Sequence, residues 1–119
     1  MAVFSKQILS GSTDGKGILV TATATAGTVI HTGSTTATVI DEVWLYAVNT
    51  SASAVKLTVE YGGVSSPADH IEFTVPAEAG LYLVVPALLI KGNATALVIR
   101  AFAATGSVIA IHGYVNRIS

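Results

Sequence analysis

Apolar and polar residues alternate strictly over 55–61, with Val55, Leu57, Val59 and Tyr61 on one side and Lys56, Thr58 and Glu60 on the other. Successive side chains of an extended chain point to opposite faces, so this segment predicts a strand with one buried and one wetted face. The same period runs through Ile71-Glu72-Phe73-Thr74-Val75, which Pro76 stops, and through 97–103, where both faces are apolar. Further runs rich in Val, Ile and Thr predict strands at 18–25, 28–32, 38–49, 81–85 and 108–118, about eight in all. The segments between them, such as Ala26-Gly27, 49–53, 62–67 and Lys91-Gly92-Asn93, offer Gly, Asn or Ser for turns. No window repeats apolar residues at i, i+3, i+4 and i+7, so no helix longer than a turn is expected. Short strands at even spacing with turn signals predict an all-β fold, an antiparallel β-sandwich or jelly roll.

Residues 1–17 break the pattern. Ser10-Gly11-Ser12-Thr13-Asp14-Gly15-Lys16-Gly17 is polar and glycine-rich, which predicts a flexible N-terminal arm over 1–17 ahead of a β-sandwich domain over 18–119. Phe4, Ile8 and Leu9 are the large apolar side chains of that arm, and they are its candidates for docking on a partner by strand addition. Thr21-Ala22-Thr23-Ala24-Thr25 reads as an exposed strand that adds little to the core, although its small side chains allow another backbone to come close.

Composition changes the picture in one respect. An ordinary soluble domain of this length carries about 30 charged residues, and this one has six basic and seven acidic residues in 119, with 51% apolar residues. So little basic charge, at a net charge of −1, excludes the electrostatic footprint of a nucleic-acid binder or of a polybasic membrane-surface protein. The apolar content excludes disorder. With no cysteine there is no disulfide, no thiolate nucleophile and no cysteine-ligated zinc. The start lacks a basic segment followed by an apolar stretch, so no secretory leader is expected there. The longest apolar run, 81–90, contains Pro86 and is half the length of a spanning helix.

Candidate chemistry is sparse. Gly11 to Gly17 imitates a phosphate-binding loop but has one residue too few before Gly15-Lys16, and Gly17 replaces the hydroxyl that would hold magnesium; a hinge is the better reading. His31, His70 and His112 have no partner histidine at ligand spacing, so they read as turn or interface residues and no metal or cofactor is expected. Asp69-His70 beside Ser65-Ser66 has the residue types of a hydrolytic triad without the nucleophile elbow, so no catalytic residue is assigned and no enzyme is expected. Asp41 and Glu42 project oppositely from a strand and read as solvated, or linked to Arg100 or Lys56. Asn49-Thr50-Ser51 and Asn93-Ala94-Thr95 match the glycosylation pattern and read as turns. Trp44 and Tyr46 share one face of the long strand. Core packing is the first reading for them, and an aromatic surface for stacking is the second.

Strands that are apolar on both faces need cover on both sides, and a small sandwich has only one inside. The economical expectation is a homo-oligomer, with a trimer as the specific guess, or a place in a larger assembly. The segments 41–50, 55–63 and 111–118 give this expectation a family flavour. Over roughly 38–118 the chain resembles the small β-sandwich virion proteins of tailed bacteriophages, particularly capsid decoration or cement proteins. The resemblance lies in strand grammar and rests on no diagnostic motif. It implies a non-enzymatic protein made in the bacterial cytoplasm that sits on the head shell and binds the major capsid protein. Two alternatives stand beside it. One is a neck, tail or fibre-base virion component; the other is a jelly-roll carbohydrate-binding module using Trp44, Tyr46, Tyr61 or Tyr82.

Overall fold

The computed structural model describes residues 2–119 and is all-β, with nine strands in two antiparallel sheets. The strands are β1 (Phe4–Ile8), β2 (Ile18–Leu19), β3 (Thr28–Thr32), β4 (Ile40–Asn49), β5 (Val55–Tyr61), β6 (His70–Val75), β7 (Tyr82–Lys91), β8 (Val98–Ala103) and β9 (Ile109–Ile118). The ladders β5–β6, β4–β7, β3–β8 and β2–β9 are nested one inside the next. The chain is therefore one long hairpin, with its tip between β5 and β6, rolled up so that β9 meets β4 and β8 meets β5. That is the jelly-roll arrangement. Sheet A runs β1-β9-β4-β7, with β2 also on β9, and sheet B runs β3-β8-β5-β6.

Between the sheets the alternating residues interdigitate. Val43, Leu45 and Ala47 of β4, with Ile109, Ile111 and Val115 of β9, face Leu57 and Val59 of β5 and Ile99 and Ala101 of β8 in a closed apolar core. Burial of these side chains is the main stabilising term, at about 25 cal/mol per Å² of apolar surface. Gly113 is required where β9 passes β4, because a Cβ there would lie on the Trp44 carbonyl oxygen.

Three expectations are corrected. Residues 4–8 pair with β9 along five registered positions, so the segment expected as a flexible arm carries an edge strand; of the arm, Met1 lies outside the described residues. The strand expected over 18–25 ends at Leu19, because the chain then turns away to sheet B. The strand expected to stop before Pro86 continues to Lys91. β7 is an edge strand, where the missing proline N–H is not needed, and a bulge with Ala87 at φ 58° absorbs the local misfit.

Candidate docking surface

The two outer faces of the sandwich are finished differently. On sheet B, residues 20–27 run along the end of the β8 edge and close over the Glu60 end of the outer face. Ala103 N–H donates to the Ala22 carbonyl and Ser107 N–H to the Val20 carbonyl, each within 3.1 Å. The tip of this segment is held by Glu60, whose carboxylate accepts from the Gly27 N–H at 2.7 Å and from the Thr25 hydroxyl, and which is 0% exposed as a result. The Thr-Ala stretch is thus an internal cover rather than a free strand. Gly27 allows it, since a Cβ there would collide with the Ala101 backbone.

Sheet A has no such cover. Cross-strand partners lie on the same face, so the register fixes what that face displays. One row is Phe4, Ile118, Ile40 and Lys91; the next is Lys6, Asn116, Glu42 and Leu89; the third joins Ile8, Tyr114 and Trp44; the fourth joins His112, Tyr46 and Leu83. Trp44 and Tyr114 are near-parallel with ring centroids 6.3 Å apart, and the Lys6 ammonium stands 4.9 Å over the Tyr114 ring. Glu42 Oε1 accepts from Trp44 Nε1 and from Asn116 Nδ2, both at 2.9 Å. The bonds from Asn116 and then Trp44 hold the Glu42 carboxyl below its ordinary range, against a smaller opposing effect of burial. Glu42, the Trp44 indole N–H and Asn116 therefore already have partners within the face, and covering these three would not orphan them. Along the rims Phe4 is 72% exposed and Leu89 59% exposed, with Ile8, Leu81 and Leu83 also open to solvent.

Sequence-predicted residues divide accordingly. Phe4 and Ile8 are exposed on β1. Leu9 is not available for docking: it is 1% exposed and packs into the core, because the chain leaves sheet A there and crosses to β3. Trp44 and Tyr46 lie on the outer face of sheet A, half-buried by their neighbours, so the core-packing reading fails for both. Tyr61 packs against the core, with its hydroxyl buried, and Tyr82 lies on the β7 edge, so of the aromatics named for a sugar module Trp44 and Tyr46 share the outer face of sheet A. Lys6, Leu83, Leu89, Tyr114 and Asn116 were not singled out from the sequence, whereas His112, read there as a turn or interface residue, lies on this face. The period-two pattern in 108–118 carried the signal for Tyr114 and Asn116, but only the β4–β9 register brings them beside Trp44.

The remaining polar residues are placed as follows. Asp41 links to Arg117, with Nε and NH2 at 2.8 and 2.9 Å, and to His31 Nε2 at 2.8 Å, not to Arg100 or Lys56. Lys56 instead meets Glu72 on the exposed face of sheet B. Asp69 accepts from the Ser65 N–H within its own loop, whereas His70 points to Glu60 at 3.5 Å and to the edge of Phe102, so the residues of the imagined triad are not brought together. His31, His70 and His112 stay apart, and among the described residues no three potential metal ligands converge. No family model, no curated protein and no solved structure matches this chain.

Proposed function

We propose that the protein is a non-enzymatic structural subunit of a tailed-phage virion, a decoration or cement protein that binds the outside of the assembled head shell and works as a homo-oligomer. The observation that carries this reading is the contrast between the two faces. The chain closes the Glu60 end of the charged sheet B face with its own segment 20–27 and leaves sheet A open, with exposed Phe4, Ile8, Leu83 and Leu89 around the Trp44–Tyr114 pair. Exposed large apolar side chains gathered on one face of a sheet support a docking surface there. The shortage of charge, 11% of residues, supports the same reading, because interfaces are depleted in charge.

Four strands of up to ten residues present a flat footprint on the order of 600 Å², below the roughly 800 Å² per partner of a standard stable interface. One such face gives modest affinity. Several copies held in one oligomer multiply it through effective concentration. Binding only the assembled shell would then favour that shell over its free subunits by mass action.

The test is co-sedimentation with intact phage heads and with dissociated coat protein. Fixed-stoichiometry binding to heads alone, lost in the Leu83→Glu/Leu89→Glu variant, is the expected result. Binding to a glycan array that disappears in Trp44→Ala, with no head binding, would replace this reading by a carbohydrate-binding module.

A further inference from the structure

His31 is 2% exposed and sits where residues 9–12 cross from sheet A to β3. Its two ring nitrogens face different partners. The Ser10 backbone N–H donates to Nδ1 at 3.1 Å, and Nε2 lies 2.8 Å from Asp41 Oδ2. A backbone amide only donates, so Nδ1 is bare; the proton of the neutral ring is then on Nε2 and is donated to Asp41. The same crossing is stapled twice more, by the Thr32 N–H to the Ser10 hydroxyl at 2.7 Å and by the Gly11 N–H to the Ile30 carbonyl at 2.9 Å. Upstream of this staple, β1 has no fully buried side chain. It is held by its backbone ladder to β9 and by Lys6 over Tyr114, with Leu9 as its only core anchor.

We propose that His31 is an acid-released latch on the N-terminal strand. A second proton on the ring must occupy Nδ1, directly against the Ser10 N–H, so protonating His31 and holding Ser10 are mutually exclusive. The groups that face the ring do not remove this conflict. Asp41 on β4 is already neutralised by Arg117 on β9; Tyr61 on β5 keeps its phenolic proton, through burial first and the Asp41 charge second; β8 places the apolar Ile99 opposite. A second proton therefore adds net positive charge to a closed interior. By linkage, acid therefore favours the state in which Ser10 is free. In that state residues 2–12 leave β9 and β3, and the β9 edge along 114–118 becomes open. This inference stands without the virion reading.

Hydrogen exchange on the full chain at pH 7.5 and 5.5, corrected for intrinsic rates, tests it. Protection over 3–12 is expected to fall several-fold at pH 5.5, while β5 and β8 change by less than about twofold. In His31→Gln, which keeps an amide toward Asp41 but takes up no proton in this range, the response should be flat. Equal wild-type protection at the two pH values, or the same loss in His31→Gln, overturns the latch. Should His31→Gln fail to fold, the wild-type imidazole tautomer read by nitrogen NMR at pH 7.5 decides: a bare Nδ1 supports the latch, and a proton on Nδ1 overturns it.

Discussion

Replacing Asp41 by Asn would leave the Arg117 guanidinium and the His31 imidazole without the carboxylate that both address. Asp41 is 1% exposed while Arg117 keeps partial access to water, so Asp41→Asn should destabilise the fold by about 3 kcal/mol, the lower end for breaking a buried pair. Urea denaturation would show this as a lower midpoint at an unchanged slope. The same carboxylate sets the acid limit. Burial alone would raise its pKa, but the bonds from Arg117 and then His31 outweigh it and leave the group below its ordinary value. The contribution is therefore full above about pH 4, where the unfolded carboxyl titrates, and is lost as the pH falls through the lower folded-state value. Melting temperatures recorded between pH 6 and pH 2.5 should drop below about pH 4, and drop less steeply in Asp41→Asn. At this scale the sequence is informative about type and poor about pairing. Asn49 as a turn residue is readable, and the structure uses its side chain to bind the carbonyls of Ser53, Val75 and Pro76. The Asp41–Arg117 pair is not readable, because it joins residues 76 apart through the β4–β9 register.

The first strand separates two roles that lie next to each other in the chain. Leu9→Ala should cost about 2–5 kcal/mol, since it opens a cavity in the core. Phe4→Ser should leave the melting temperature within a degree or two, since Phe4 is mostly exposed. Truncation of residues 1–7 should therefore be tolerated, whereas truncation through residue 14 should lower the melting temperature about as far as Leu9→Ala does; thermal melts of the two truncations check this directly. Most strands were legible because alternation is a local signal: 28–32 and 55–61 were predicted with the bounds observed. The first strand was not, because Phe4–Ile8 alternates weakly and owes its conformation to the β9 backbone rather than to burial. The second half of β7 was hidden by Pro86, which ends a central strand but is tolerated at an edge.

Considered whole, the molecule closes the Glu60 end of the sheet B face with its own 20–27 segment, leaves Lys56 and Glu72 of that face wet, and shows the face of sheet A that carries Trp44 and Tyr114. The surplus of two-sided strands was legible; which face the chain would cover itself was not, since that depends on Glu60 capturing Thr25 and Gly27 from a distant loop. The open face predicts a docking contact that acidic substitutions at Leu83 and Leu89 should abolish without loss of folding, because both side chains are exposed. Co-sedimentation of the wild-type protein with intact phage heads, beside Leu83→Glu/Leu89→Glu at matched concentration, tests this most directly. Fixed-stoichiometry binding by the wild type that is lost in the folded variant is the predicted result; no binding by the wild type, or equal binding by the two proteins, would contradict it.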